Sequence, residues 1–143
     1  MAVELQIATE TLIMKALADH LESLVFDQNI PIHHMGVNAD PVDSGHWIET
    51  NYFPAPNQEM GMENDPQIFH SGIFQVGVGD QPGQGVLAAT EIAGKISSHF
   101  SKGTSFKVFG VEVKINRKPQ ILSPLIIDNK IIVPIQIRYN CSQ

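Results

Sequence analysis

The sequence predicts an α+β domain, a mainly antiparallel or mixed sheet of about five to six strands packed against two helices. Three observations carry this reading. Residues 68–78 alternate, with Ile68, His70, Gly72, Phe74, Val76 and Val78 on one face and Phe69, Ser71, Ile73, Gln75 and Gly77 on the other. From Gly85 the period becomes helical, with Ala89, Ile92, Ala93, Ile96 and Phe100 on one stripe. After Gly103 the alternation returns and continues through turn residues to the carboxyl terminus.

Taken in order, the first helix is expected over Glu4 to Leu24, with Ile13, Leu17, Leu21 and Leu24 on one stripe and Leu5, Ala8, Leu12 and Ala16 beside it. Ile30 to Met35 reads as a short strand stopped by Gly36, and Val37 to Gly45 as a loop. Trp47 to Phe53 is a second strand, with Trp47, Glu49, Asn51 and Phe53 sharing a face and Pro54 ending it. The stretch 54–67, PAPNQEMGMENDPQ, lacks periodicity, and its prolines, asparagines and glycine argue against regular structure. It is expected to be a projecting loop of a single domain spanning 1–143, and loops of this length are usually functional or disordered.

The strand at 68–78 then closes at Gly77, Gly79 and Asp80, with Pro82 and Gly83 supplying a reversal. Gly103 is placed to end the second helix in the left-handed region. In Ser105 to Ile115, Phe106, Val108 and Glu112 are read as one face and Val111, Val113 and Ile115 as the other, with Gly110 a bulge or a turn. Ile121 to Ile127, a turn at Asp128-Asn129, and Ile131 to Tyr139 form a closing hairpin. Pro124 and Pro134 cannot donate to a ladder, so each should face an edge or a bulge.

Composition narrows the function classes. With 143 residues the chain is large enough for a core, and no apolar run approaches the length of a membrane span. No basic region followed by an apolar stretch marks the amino terminus, so no secretion signal is expected. Cys141 is the single cysteine, which excludes an intramolecular disulfide and suits a reducing compartment. Charge is unevenly spread: residues 1–71 hold eleven acids against Lys15 alone, and residues 72–143 hold eight bases and four acids. Such asymmetry suits either solvated faces or a head-to-tail contact between copies.

Candidate chemistry is sparse. GVGDQPGQG is rich in glycine but lacks both GxGxxG spacing onto a helix and a GK[ST] ending, so it reads as a connection rather than a phosphate loop. Asp40, Asp43 and His46 form a D-x-x-D-x-x-H array in a loop, the one set that suggests a metal, and a small metal-dependent hydrolase using them is the distant alternative. His33 and His34 point to opposite faces of a strand; His20 and His99 read as polar-edge helix residues, and His70 as the cap of a packed region. GxSxG is missing, and Cys141 lies near a terminus expected to fray. The run Arg117-Lys118 is too short for a nucleic-acid patch. No catalytic, cofactor or metal site is expected, and the chain is read as not an enzyme.

Tyr52-Phe53-Pro54 with its polar loop, His70-Ser71-Gly72-Ile73-Phe74-Gln75-Val76, the Pro82-Gly83-x-Gly85 turn into an alanine-rich helix, Phe100, Gly103 and Val133-Pro134-Ile135 in a closing strand carry a resemblance. In this order and spacing the chain resembles the small tail terminator family of long-tailed bacteriophages, related in fold to the lambda tail terminator. The segment 37–46 fits that pattern worst. The resemblance implies a structural virion protein, not an enzyme, that forms a hexameric ring capping the tail tube. It implies that the ring stops tube polymerisation, offers a surface to head-completion proteins, and lets DNA pass without specific binding. The place is then the head-proximal end of the tail, after assembly in the host cytoplasm, with no membrane and no cofactor. Another neck protein joining head to tail is the alternative. On this reading Asn57, Gln58, Glu59, Met60 and Met62 face the tube protein, since methionines adapt to partner surfaces. Asp40, Asp43 and Glu49 meet Lys107, Lys114, Arg117 and Lys118 of a neighbour or line the channel.

Overall fold

The computed structural model describes residues 8–26, 29–37, 42, 44–56, 58–62 and 65–142, and only the backbone of 58–62, 65–67 and 142. Helix α1 runs Thr9–Glu22, and α2 runs Leu87–His99. The strands are β1 Ile32–His33, β2 Trp47–Pro54, β3 Gln58–Met62, β4 Asp65–Asp80, β5 Ser105–Val108, β6 Val111–Ile115, β7 Gln120–Ile121, β8 Leu125–Ile127 and β9 Lys130–Ser142. All nine join one sheet with the main order β1-β2-β4-β9-β6-β5. Only β1–β2 is parallel, so the sheet is mixed and mainly antiparallel, and the fold is α+β as expected.

Two long strands make the spine. β4 and β9 pair in register from Phe69↔Ser142 to Asp80↔Ile131. Each has its other edge shared by two shorter partners: β2 and β3 flank β4, while β6 and the pair β7–β8 flank β9. Phe74, Val76 and Val78 stand opposite Ile137, Ile135 and Val133, and all six are fully buried. Leu17 and Leu21 of α1 and Ala89, Ala93, Ile96 and the following Phe100 at α2 enter the same core. Each fully buried Leu or Ile there contributes on the order of 1.5–3 kcal/mol through lost apolar hydration. The even face of β4 is therefore the packed face, and among the described residues no helix lies on the opposite sheet face.

Several boundaries depart from the sequence reading. α1 starts at Thr9, with Ala8 already outside it, and stops at Glu22 rather than Leu24; residues 4–7 lie outside the described residues. The strand expected over Ile30 to Met35 shrinks to Ile32–His33. In β2 the even residues Ile48 and Thr50 face the core, whereas Phe53, from the set read as one face, is 53% exposed. Within 54–67 a strand forms where none was expected: β3 pairs with Asp65–Phe69, because the prolines fall at Pro54 and Pro56 before it and Pro66 within β4. The segment is thus a hairpin arm rather than an irregular loop.

Two turns set the remaining register. Phe109 and Gly110 have φ of 45° and 81°, so a two-residue turn joins β5 to β6, and Val108 pairs with Val111. That turn inverts the assumed phase: Phe106 and Val108 share the core face with Val111, Val113 and Ile115, while Lys107 and Glu112 share the other. Asp128 and Asn129, at φ of 50° and 65°, make the matching turn into β9. Pro134 sits within a central strand. Its carbonyl accepts from the Leu122 amide, so its missing donor points the same way, toward the break between β7 and β8, where no ladder bond is lost.

Candidate functional surfaces

The β3–β4 arm is built by pairing alone. Asp65 to Ile68 pair with β3 and lie beyond the last β9 partner of β4, Ser142, so this end of the hairpin extends past the sheet as a two-stranded ribbon. Gln58, Glu59, Met60 and Met62 all belong to β3; Asn57 lies outside the described residues.

At the opposite end of β4 the chain ties down the segment before β2. His46 Nε2 lies 3.2 Å from the Asp80 carboxylate, both side chains being largely buried, although the pair lacks hydrogen-bond geometry. Asp80 also accepts from the Gln81 amide at 2.7 Å. The Gln81 side-chain amide donates to the Val42 and Gly45 carbonyls, and Lys130 donates to Val42 at 3.2 Å. Lys130 lies 4.9 Å from the Trp47 ring centroid, and Trp47 Nε1 donates to Glu49 at 2.8 Å. Trp47 packs flat over Gly79, where an added Cβ would fall about 2.0 Å from the indole.

This arrangement reassigns two of the singled-out residues. His46 faces Asp80, a carboxylate that the sequence reading treated only as a strand end. Glu49 holds the indole of its own subunit. Asp40 and Asp43 lie outside the described residues, and among those described no group of three metal-ligating side chains converges.

The bases divide into two sets. Glu112 stands between Lys107, at 3.6 Å, and Lys114, at 3.1 Å, and its pKa is lowered chiefly by the hydrogen bond from Lys114. Glu112 thus engages both lysines within their own subunit and offsets one of their two charges. Arg117 and Lys118 follow β6, are exposed, and have no ion pair among the described residues. Arg138, which the sequence reading passed over, projects from β9 opposite Ile73. Arg117 and Arg138 line one hollow with Phe53, Ser71, Ile73 and Asn116.

The histidines and the cysteine also move. His20 and His99, read as edge residues, stack at 4.1 Å between centroids, and each Nε2 donates to the other's backbone carbonyl at 2.8 and 2.7 Å. They thereby satisfy carbonyls in the last turn of both helices. Burial, above all, lowers the His20 pKa. His70 is buried beside Cys141, which belongs to a paired strand and not to a frayed end; burial pushes its thiol pKa up. Tyr52 donates to the Met14 carbonyl at 3.1 Å, and its pKa is pushed up to about 12, first by burial.

The family described as phage tail terminator protein matches residues 12–139. No curated protein sequence matches. A solved structure without a functional name shares the fold at TM-score 0.71 and 20% identity, covering 92% of each chain. A chain from the virion of a native gene transfer agent particle does so at TM-score 0.61 and 11% identity, covering 96% of this chain and 100% of that one.

Proposed function

The chain belongs to the phage tail terminator protein family and is a structural phage tail protein, and from that premise we propose that it closes the head-proximal end of a tail tube. In this reading copies assemble head to tail into a hexameric ring that caps the tube, stops its polymerisation and presents a face to head-completion proteins. The ring has no enzymatic step. DNA passes through its channel without specific binding, and an acidic lumen favours that because phosphates slide where lysines are few. Assembly takes place in the host cytoplasm.

The observation that carries the reading is the β3–β4 arm, an extension beyond the sheet in a protein whose family works by contact. The arm, with Asn57, Gln58, Glu59, Met60 and Met62, meets the tube protein. Residues of the acidic half, among them Asp40, Asp43 and Glu49, meet bases of a neighbour or face the channel. Since Lys107 and Lys114 already flank Glu112, the intersubunit share falls mainly on Arg117 and Lys118.

Joint alanine replacement of Glu59, Met60 and Met62 tests the arm. Tube capping should fail while the unfolding midpoint stays put, and electron micrographs should show tails of uncontrolled length. Tails of normal length and infectivity would remove the arm from the mechanism.

A further inference from the structure

Both arginines of the sequence, Arg117 and Arg138, line the same hollow of about 280 Å³ on the sheet face opposite the two described helices. Phe53, Ile73 and Arg138 form one cross-strand row there, and Ser71 and Asn116 stand at the rim. Both guanidinium groups are exposed and make no ion pair among the described residues. Two uncompensated guanidiniums beside an exposed aromatic ring make a concentrated site for carboxylates. Guanidinium forks match carboxylates bidentately, and arginine with aromatic anchors dominates protein interfaces.

The opposite side of the same sheet end presents the complement. Glu10, Ile13 and Met14 of α1 border a cleft with Tyr139, the residue next to Arg138 on β9. Ser71 and Tyr139 line both cleft and hollow, and along β9 Ile137 and Tyr139 turn to the buried helix face while Arg138 turns to the other, so α1 and the arginines stand on opposite faces of the same strands. The outward side of α1 exposes Glu10, Met14, Lys15, Asp19 and Glu22. Lys15 pairs with Asp19 at 3.2 Å and His34 Nε2 lies 2.7 Å from Glu22, so three carboxylates stand against one lysine, and no lysine or arginine occurs from residue 16 to 94.

We propose that the arginine hollow receives the acidic outward face of α1 from a second copy of this chain. The contact is heterologous, because donor and acceptor surfaces are on opposite sides of a two-layer domain, and repeating it propagates around a ring. It covers the end of this sheet face away from Trp47, where Phe53 and Arg138 are exposed. The proposal rests on the ring-forming reading above and specifies which surfaces meet.

Charge exchange tests it, read by capping of purified tail tubes and by sedimentation of the concentrated protein. Arg117→Glu with Arg138→Glu should weaken self-association and capping about tenfold or more. The unfolding midpoint should not move, as both side chains face solvent. Adding Asp19→Lys and Glu22→Lys in the same chain should restore both readouts. Undiminished association by the arginine variant overturns the proposal and leaves the ring reading intact. Rescue by charge reversal on the tube protein, and not on α1, overturns it by naming another occupant. So does a duplex DNA fragment that wild type retains and the variant releases, with self-association unchanged. If wild type itself neither caps tubes nor self-associates, both the ring reading and this proposal fall; association in sedimentation without capping removes only the terminator role.

Discussion

His20 shows how one side chain couples helix packing to pH. Its ring donates to the His99 carbonyl, stacks on His99 and Phe106, and meets the edge of Phe100. Burial is the main force lowering its pKa from the ordinary 6.5; the bond to the His99 carbonyl opposes that, and repulsion from His99 adds to it. The unfolded chain thus binds this proton more readily than the folded one. Stability is fully present above pH 6.5 and is lost as pH falls below it toward the depressed folded value. A melting series from about pH 7.5 to about pH 5 should show a falling midpoint in the wild type. His20→Gln keeps a donor and removes the titration, so its curve should start lower and run flatter. Parallel curves would assign the pH dependence elsewhere. Nothing in local sequence announces this pair, since its members stand 79 positions apart.

At the scale of elements, legibility followed the range of the determining contacts. β4 and α2 were readable because period alone defines them: His70, Phe74, Val76 and Val78 of β4 and the stripe Ala89, Ile92, Ala93, Ile96 and Phe100 are buried as expected. β3 was hidden, because Gln58–Met62 has no apolar alternation and owes its extended form to β4 beside it. The phase of β6 was misread because it depends on how many residues occupy the turn at Gly110. Arg138 escaped notice for a similar reason: only the fold brings it beside Arg117. The β5–β6 turn itself carries a local cost. Phe109 adopts a φ of 45° while 81% exposed, a conformation suited to asparagine or glycine and not to a phenylalanine. Phe109→Asn should raise stability by about 1 kcal/mol in chemical denaturation. A neutral or negative change would show that the ring makes a compensating contact within the subunit.

For the whole molecule the separation of charge governs assembly more than folding. The net charge is −6, with the bases concentrated after residue 94, and in the proposed ring the acidic side of one copy would meet the basic side of the next. Exposed charge contacts are screened by salt, with a Debye length of about 10 Å at 0.1 M and about 3 Å at 1 M. Tube capping should therefore weaken several-fold across that range, while the melting midpoint, set by the apolar core, should change little. Salt-independent capping would mean that apolar contacts such as Phe53 carry the interface. This asymmetry could be read from composition; the direction in which each charge faces could not, since it depends on sheet register.

The β4–β9 ladder has a mechanical consequence. β4 spans roughly 50 Å at the usual rise per residue, with the arm at one end and the Trp47, His46 and Asp80 anchorage at the other. A pull along the arm runs parallel to the strands, so it loads the whole ladder from Phe69 to Asp80 at once. Such shear resists rupture far better than peeling, in which bonds open singly. In the proposed role at a tail end, the longest strand would serve as a tensile member between the arm and the body of the protein.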